Sequence, residues 1–433
     1  MKLNNMLEKN GRYPFHIPGH KRNASFGICG SDIDITEIDG FDNLHNPTGV
    51  LRELEERCAE AFGYAKSIIS VNGSTCCVLS AISALCNRGD SIIIARNCHK
   101  SVYNACLINE LRVTYIEPEF IDELGTYGRI TQEALDAAIE AVPEAKSVVI
   151  TSPTYEGVVS DVKCDIPLII DAAHGSHFGF ADFLPKRPQA DIVINSLHKT
   201  LPSPTQTAVI HINNPEYFDG IKKYMDIYET SSPSYILLAG VEKCIDFLAD
   251  CKGAFNEYKK LLDRFFGEVQ NIPSLHIFGS DDVSRIIIYS DAVPAQKLAE
   301  NIRRAGVEPE AVSQNYITLI STVCDTDEGF ERLLNGLKDD SSGNPERYVV
   351  KPALPEKACE AYEVTETKPV KMTEAEGKIC GQYIYAYPPG IPLIVPGEII
   401  DKKLIEAIND MKIAGVNLIF EGGFDDNMIL TKI

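Results

Sequence analysis

The sequence predicts an α/β protein whose main part is a doubly wound sheet, and three observations lead to this class. Between about residues 65 and 215, apolar runs typical of buried strands alternate with segments of helical period. Most of these runs end in polar turns, and open α/β sheets bind their ligands at that edge. At 433 residues the chain is too long for one ordinary core, so further domains are expected.

The individual elements follow from the spacing of apolar residues. Leu51, Leu54 and Cys58 form one stripe of a helix, whereas Ser91–Ala95 is an unbroken apolar run of the kind that parallel sheets bury. The predicted strands cover residues 67–71, 91–95, 113–116, 147–151, 168–170, 191–194, 206–212, 285–289 and 316–322. The predicted helices cover residues 50–62, 102–111, 131–141, 235–250, 254–269, 295–305 and 327–338, with one more between residue 75 and Gly89.

Changes in composition predict four domains. We expect an N-terminal arm over residues 1–45, a large domain over 46–270, a small α/β domain over 271–340 and a C-terminal domain over 341–433. Residues 339–345 have the composition of a linker. Only 16 residues separate Thr151 from Leu168, and they show no helical period. A short irregular loop is therefore expected there, although parallel strands are usually joined through a helix.

Charge and cysteine content limit the class of protein. The net charge of −21 argues against nucleic acid and anionic membranes as partners. No apolar run is long enough for a membrane span, and the N-terminus has no apolar core of a signal peptide. The thirteen cysteines have no regular spacing. They are interpreted as small core residues in a reducing cytoplasm.

Polar residues suited to chemistry follow four of the predicted strands. The turn at Gly73, Ser74 and Thr75 opens a helix, and its backbone N–H groups and hydroxyls suit a phosphate. An ordinary helix cap is the alternative there. His99 and Asp171 each follow a buried strand. Asp171, with His174 and His177 nearby, also leaves a metal site open, although no Glu or Cys completes a recognisable spacing.

The fourth of these turns runs from Ser196 to Thr200. A site for pyridoxal phosphate (PLP) requires a lysine at a strand end with a serine and a histidine just upstream. Here Lys199 can bind the aldehyde, and its neighbours Ser196 and His198 can bind the phosphate. A solvated lysine is the alternative. The order of a phosphate turn, a histidine, an aspartate and a lysine favours the cofactor site, because independent signals agree.

Seven stretches together resemble the PLP-dependent ornithine/lysine/arginine decarboxylases of the aspartate-aminotransferase fold (fold type I). They are Phe15–Lys21, Asp42–Gly49, Asn72–Thr75, Arg96–Ser101, Asp171–Gly175, Ser196–Thr200 and Tyr387–Pro392. The resemblance covers about residues 13–430. It implies a PLP-binding large domain with a mainly parallel seven-stranded sheet, a small α/β domain and a C-terminal decarboxylase domain. It also implies cytoplasmic decarboxylation of arginine, lysine or ornithine to a polyamine precursor.

The resemblance assigns roles to matching positions only. It implies that Lys199 binds the cofactor, that Asp171 pairs with the pyridinium nitrogen and that His99 stacks on the ring. Either His198 or Lys199 would return a proton to the substrate. The implied phosphate and further cofactor contacts are Ser74, Thr75, Ala173, Ser196 and His198, with Ser231 and Ser232 reaching the phosphate of a neighbouring subunit. That last contact implies a homodimer or larger homo-oligomer with shared active sites.

Glu398 is the residue that the resemblance places near the distal cation of the substrate, and no metal is implied. Two positions depart from the family, which usually has Glu at Ala172 and Thr at Leu197. The chain resembles the short form, without an N-terminal wing domain. Other fold type I enzymes, such as an aminotransferase or an aldolase, and a catalytically silent regulatory protein stay open as alternatives. The choice among the three amino acids also stays open.

Overall fold

The structure is a computed structural model that describes residues 2–11, 13–14, 16–338, 351, 354–386, 390–413, 415–422 and 427–433. The chain forms two compact units. The first unit consists of Met1–Leu85 and Pro167–Glu257, and the second unit of Cys86–Ile166 and Tyr258–Ile433. These units group the chain by contact rather than by sequence order, and the four predicted domain boundaries stay a prediction.

Helices occur in both units. In chain order they are α1 (Leu3–Glu8), α2 (Val50–Phe62), α3 (Gly73–Leu85), α4 (Lys100–Ile108), α5 (Gln132–Ala141), α6 (Leu197–Thr200), α7 (Phe218–Tyr228), α8 (Tyr235–Leu248), α9 (Lys252–Val269), α10 (Ala295–Arg304), α11 (Asp327–Leu337) and α12 (Lys402–Ile413).

The strands are short, as is usual for globular proteins. In chain order they are β1 (Lys66–Ser70), β2 (Ser91–Ala95), β3 (Arg112–Ile116), β4 (Phe120–Ile121), β5 (Thr126–Tyr127), β6 (Val148–Thr151), β7 (Leu168–Asp171), β8 (Ile192–Ser196), β9 (Ala208–Ile212), β10 (Leu275–Ile277), β11 (Arg285–Ser290), β12 (Ala311–Val312), β13 (Ile317–Ile320), β14 (Thr367–Lys371), β15 (Ile384–Ala386), β16 (Ile391–Ile394), β17 (Leu418–Phe420) and β18 (Met428–Lys432).

The predicted α/β class with a mostly parallel sheet is confirmed. Seven strands correspond to the predicted sheet, four in the first unit and three in the second. Helix α2 and strand β2 begin and end where the apolar spacing placed them. Helix α7 and the β4–β5 hairpin were not predicted. The linker at 339–345 and the stretch 387–389 lie outside the described residues.

The first unit contains the strand order β1-β9-β8-β7. Strands β7 and β8 are parallel, and β9 is antiparallel to both of its neighbours. Every residue of β7, β8 and β9 is buried, which explains why these strands are mostly apolar. Helix α3 packs on this sheet, and its apolar residues include Val78 and Ile82.

An aspartate fixes the start of helix α2. The Asp42 carboxylate accepts hydrogen bonds from the backbone N–H groups of Thr48, Gly49 and Leu51, at 2.8–3.0 Å. Burial alone would raise the pKa of Asp42, but these backbone donors outweigh it and lower the pKa. The Asp42–Gly49 stretch therefore has a structural function, because it supplies acceptors for the N–H groups that a helix start leaves without partners.

The second unit contains three further strands of the predicted sheet, in the order β6-β2-β3, all parallel. The small α/β part has the antiparallel strand order β10-β11-β13-β12. Near the C-terminus, β14 pairs with β18, and β16-β15-β17 form a second small sheet. A separate apolar cluster, which includes Ile384, Ile394, Ile400 and Ile408, holds this C-terminal part together.

The segment between β6 and β7 has no helix or strand, as the sequence predicted. Its backbone is held by side chains instead. Asp281 accepts a hydrogen bond from the N–H of Val159 at 2.8 Å, and the hydroxyl of Ser152 accepts one from the N–H of Ser160 at 2.9 Å. These contacts satisfy backbone groups that a helix would otherwise pair internally.

All thirteen cysteines lie within the described residues, and none forms a disulfide. Nine of them are buried, in agreement with the interpretation that they are small core residues. Among the described residues, no helix is both long and apolar enough to cross a membrane.

Candidate active site

Three strands of the first unit end at the same edge of its sheet. Because β9 is antiparallel to both β1 and β8, β1 runs in the same direction as β8. Ser70 and Ser196, the last residues of β1 and β8, both pair with Ala208. Asp171, the last residue of β7, lies opposite Ile194. The turns that follow these strands therefore meet at one edge, where α/β sheets place their ligands.

Lys199 lies in the one-turn helix α6, directly after β8. Its Nζ atom is 3.0 Å from Nε2 of His174. The N–H of Leu197 donates to the carbonyl oxygen of Thr207 at 3.1 Å, so the turn is anchored to the chain that leads into β9. The amine is thereby held at the strand edge, beside an imidazole.

Two side-chain hydrogen bonds tie the Asp171 loop to the lysine turn. The amide of Asn195 donates to the carbonyl oxygen of Ala172 at 2.8 Å, and the hydroxyl of Ser176 donates to the carbonyl oxygen of Ser196 at 2.8 Å. Asp171 is 4% exposed, and its Oδ1 accepts the N–H of Ala173 at 3.1 Å. The predicted aspartate and lysine are therefore held in one rigid loop pair.

The predicted phosphate turn is joined to the same place. The Oγ atoms of Ser74 and Ser196 are 2.9 Å apart. Gly73 adopts φ +76°, a conformation that favours glycine, and its N–H donates to the carbonyl oxygen of Gln206 at 2.8 Å. Thr75 is exposed in the first turn of α3. The hydroxyls thus lie at a helix start whose N–H groups can bind an anion.

His198 is half-buried beside Lys199, and its ring has a defined hydrogen-bond partner. Nδ1 is 2.9 Å from the carbonyl oxygen of Thr207. Since a carbonyl oxygen only accepts, Nδ1 carries the hydrogen and Nε2 is the nitrogen left for a ligand. Burial lowers the pKa of His198, and the charge of Lys199 lowers it further. The ring is therefore neutral at pH 7 before an anion binds.

A buried glutamate connects the phosphate turn with the loop that carries Ser231 and Ser232. Oε2 of Glu229 accepts from the Ser70 hydroxyl at 2.6 Å and from the N–H of Val71 at 3.1 Å. Ser231 and Ser232 themselves are exposed. Their predicted contact with a neighbouring subunit stays a prediction.

His99 belongs to the second unit, where it caps helix α4. Its Nδ1 accepts from the N–H of Ser101 at 3.2 Å and lies 2.9 Å from the Ser101 hydroxyl oxygen. The side chain is exposed. Its predicted stacking on a cofactor stays a prediction.

Glu398 has a partner that the sequence analysis did not foresee. Its carboxylate binds the guanidinium of Arg96 through both oxygens, at 2.7 and 3.0 Å, and Glu398 has 0% exposed surface. The predicted contact between Glu398 and the distal cation of the substrate stays a prediction. Burial raises the pKa of the Glu398 carboxyl, and the charge of Arg96 offsets part of that increase.

Sequence reasoning missed the residues that hold the site together. His174 was considered only as a metal ligand, and Asn195, Ser176, Glu229 and Arg96 were assigned no role. The available signal was weak: His174, Asn195, Ser176 and Arg96 are polar residues within six positions of a predicted strand end, whereas Glu229 lies in no predicted helix or strand. Among the described residues, no group of three or more His, Cys, Asp or Glu side chains is arranged to hold a metal ion.

Comparison with known proteins identifies the family. The family description "Orn/Lys/Arg decarboxylase, major domain" matches residues 4–265, and the C-terminal domain of the same family matches residues 349–414. An arginine decarboxylase of Bacillus subtilis is 31% identical over 91% of this chain and 89% of its own length. An arginine decarboxylase of Halalkalibacterium halodurans is 30% identical over 98% of this chain and 95% of its own length.

A solved structure extends the likeness to the fold. The lysine decarboxylase of Francisella novicida aligns with a TM-score of 0.85 over 99% of this chain and 80% of that one, at 18% identity. At this identity the alignment concerns the fold alone, and it agrees with the fold type I architecture that the motifs implied. The family matches span both the strand-end site around Lys199 and the C-terminal segment, and the chain belongs to the Orn/Lys/Arg decarboxylase family.

Proposed function

We propose that this protein is a PLP-dependent decarboxylase that removes the α-carboxylate of a basic amino acid as carbon dioxide. The observation that carries the proposal is the convergence of Lys199, Asp171 and Ser74 at one sheet edge. Family membership supports the reaction class. The two arginine decarboxylases at 30–31% identity make arginine the first substrate to test, before lysine and ornithine.

The donor set at this edge fits PLP. The amine of Lys199 can bind an aldehyde, and the buried carboxylate of Asp171 suits a protonated ring nitrogen. Ser74 and Ser196 offer two hydroxyls beside the start of α3, a combination that suits a phosphate. When bound, PLP supplies an electron sink for the pair that remains as carbon dioxide leaves.

The remaining chemistry falls to the protein's own side chains. Asp171 is fixed by the N–H of Ala173 and by the Asn195 contact, so that it can keep a proton on the ring nitrogen. Lys199 is the group that exchanges with the substrate amine. His198 or Lys199 then returns a proton to the α carbon. His198 has only Nε2 available for this step, because Nδ1 is bonded to Thr207.

The proposal also covers the oligomeric state, the location and the product. Ser231 and Ser232 are exposed at the end of a loop anchored through Glu229, which supports a homodimer or larger homo-oligomer in which they reach a partner's phosphate. Thirteen cysteines without a disulfide support a reducing, cytoplasmic location. The product would be an amine precursor of polyamines.

The test is release of carbon dioxide and amine from arginine, lysine and ornithine, with and without added PLP. The wild-type protein should act on at least one of them, and Lys199→Ala should lose activity by several orders of magnitude. Lys223→Ala, at an exposed lysine of α7, is the matched control and should keep full activity. Turnover by Lys199→Ala, or a keto acid or aldehyde product, would contradict the proposal. The latter would instead indicate an aminotransferase or an aldolase.

A further inference from the structure

The segment that carries His99 is held on both sides by charged residues of the second unit. It connects the end of β2 with the start of α4, and His99 lies between Arg96 and Lys100. Each of these two cations pairs with a glutamate from the C-terminal part of the chain. The position of His99 therefore depends on two glutamates, Glu398 and Glu421, that lie more than 300 positions from Arg96 and Lys100 in sequence.

The Arg96 contact is fully buried and has several partners. Besides its two bonds to Glu398, the guanidinium donates to the carbonyl oxygen of Leu393 at 3.2 Å and lies 4.7 Å from the centre of the Tyr115 ring. Burial alone would lower the pKa of Arg96, but the charge of Glu398 outweighs it and raises the pKa. One guanidinium bonded to both carboxylate oxygens forms a buried ion pair, in which each group depends on the other for its burial.

Glu398 is in turn fixed by its own backbone surroundings. Its Oε2 also accepts the N–H of Val395 at 2.9 Å. The preceding Gly397 has φ +93°, and a Cβ atom there would lie 2.3 Å from the carbonyl oxygen of Cys359. Only glycine fits this position, so the turn presents the Glu398 carboxylate to Arg96 in one orientation.

The second ion pair is partly exposed. Lys100 binds Glu421, and its amine lies 5.4 Å from the centre of the Tyr385 ring. The N–H of Glu421 donates to the carbonyl oxygen of Tyr383 at 3.0 Å, which places the glutamate next to β15. Since an exposed pair contributes less than a buried one, Arg96–Glu398 is the dominant restraint.

We propose that Glu398 and Glu421 are positioning residues, which hold the His99 segment through Arg96 and Lys100. The inference rests on the proposed function for the role of His99. Glu398 then acts on catalysis through the protein and has no contact with the substrate. The C-terminal part of the chain is thereby required for the geometry of the His99 segment.

The test combines a structural signal with steady-state kinetics. The PLP-free protein is prepared with isotope-labelled histidine, and the ring signal of His99 is assigned by its absence in His99→Gln. Glu398→Gln should shift this signal and leave those of the partly exposed His276 and the other histidines in place. With PLP, the same variant should lower kcat roughly 10- to 100-fold, because small misplacements of a site residue have effects of this size. KM should change less than about twofold.

Glu308→Gln is the matched control, because it breaks an exposed ion pair with Arg303 in the same unit. It should leave the His99 signal and kcat unchanged. If Glu398→Gln does not fold, the double variant Arg96→Met with Glu398→Met removes both charges and leaves no unpaired buried ion. The proposal expects the same shift of the His99 signal in the double variant.

Three results would overturn the proposal. A lower unfolding midpoint with an unmoved His99 signal and unchanged kcat would show that the pair only stabilises the fold. A large rise in KM with unchanged kcat would show that Glu398 binds the substrate. An unmoved signal in a folded double variant would refute the restraint itself. A wild-type protein without decarboxylase activity would contradict the proposed function alone, because the His99 signal is measured without PLP.

Discussion

Replacing Glu229 should loosen the phosphate turn, and the size of the effect can be worked out from its contacts. Glu229 is 8% exposed, and its Oε2 accepts two hydrogen bonds, from the Ser70 hydroxyl and the Val71 N–H. Glu229→Ala leaves both donors buried without this acceptor, at about 1–3 kcal/mol each. We therefore expect the free energy of local unfolding around the end of β1 to fall by about 2–6 kcal/mol.

The consequence for function follows from the place of these donors in the chain. Ser70 ends β1, and Gly73 and Ser74 come three and four residues later. Oε1 of Glu229 also accepts the N–H of Thr230 at 3.1 Å, which precedes Ser231 and Ser232. One carboxylate thus orders both predicted phosphate-binding segments of the first unit, and PLP affinity should fall with stability.

Hydrogen-exchange mass spectrometry on peptides that cover β1 measures the local effect, since it reports opening of one region in a large protein. Equilibrium dialysis measures PLP binding. Glu229→Gln, which keeps the shape and one acceptor oxygen, should lie between wild type and Glu229→Ala. Glu60→Gln, at an exposed glutamate of α2, should change neither measurement. Wild-type exchange and PLP affinity in Glu229→Ala would refute the reasoning.

Two further predictions concern stability. Burial lowers the pKa of His211 from 6.5 to about 3. Between these pH values the unfolded chain binds a proton on His211 that the folded chain does not bind. The free energy of unfolding therefore decreases as the pH falls, by up to about 1.4 kcal/mol per pH unit. His211→Phe should flatten this slope in hydrogen exchange of β9, whereas His276→Gln, at a partly exposed ring, should not. Equal slopes in wild type and His211→Phe would contradict the assignment. Gly397→Ala should lower the thermal unfolding midpoint more than Gly377→Ala. Both glycines have positive φ, but of the two only Gly397 has a backbone atom, the Cys359 oxygen, where the added Cβ would lie. Equal midpoints would show that the turn accommodates the added Cβ atom without loss of stability.

Local periodicity explains why much of the fold could be predicted. Helix α2 and strand β2 have one-sided and continuous apolar patterns, and both were placed at their observed ends. Helix α7 was missed although it buries Ile221 and Met225, because only two of its residues are buried and its polar face dominates the sequence. Apolar runs likewise give no strand direction, so the antiparallel β9 could not be told from its neighbours.

The reactive residues were easier to place than those that support them. Asp171 is the last residue of β7 and Lys199 lies three residues after the end of β8, and strand ends are recognisable in sequence. Their supports join residues far apart, such as Glu229 and Ser70, separated by 159 positions. His174 reaches Lys199 across 25 positions. Such pairs form because turns that are far apart in sequence pack side by side. Which turns are neighbours depends on the order of the strands in the sheet.

Glu398 shows how an expectation from sequence can leave out a partner that the fold supplies. The resemblance placed this carboxylate near the distal cation of the substrate, and in the structure it binds the cation of Arg96, separated by 302 positions. If Glu398 is a positioning residue, as we propose, other groups recognise the distal cation of a bound amino acid. It follows that the preference among arginine, lysine and ornithine is set elsewhere in the site. Loss of Glu398 should then reduce turnover of all three alike, because the proposed contact of His99 is with the cofactor that the three substrates share.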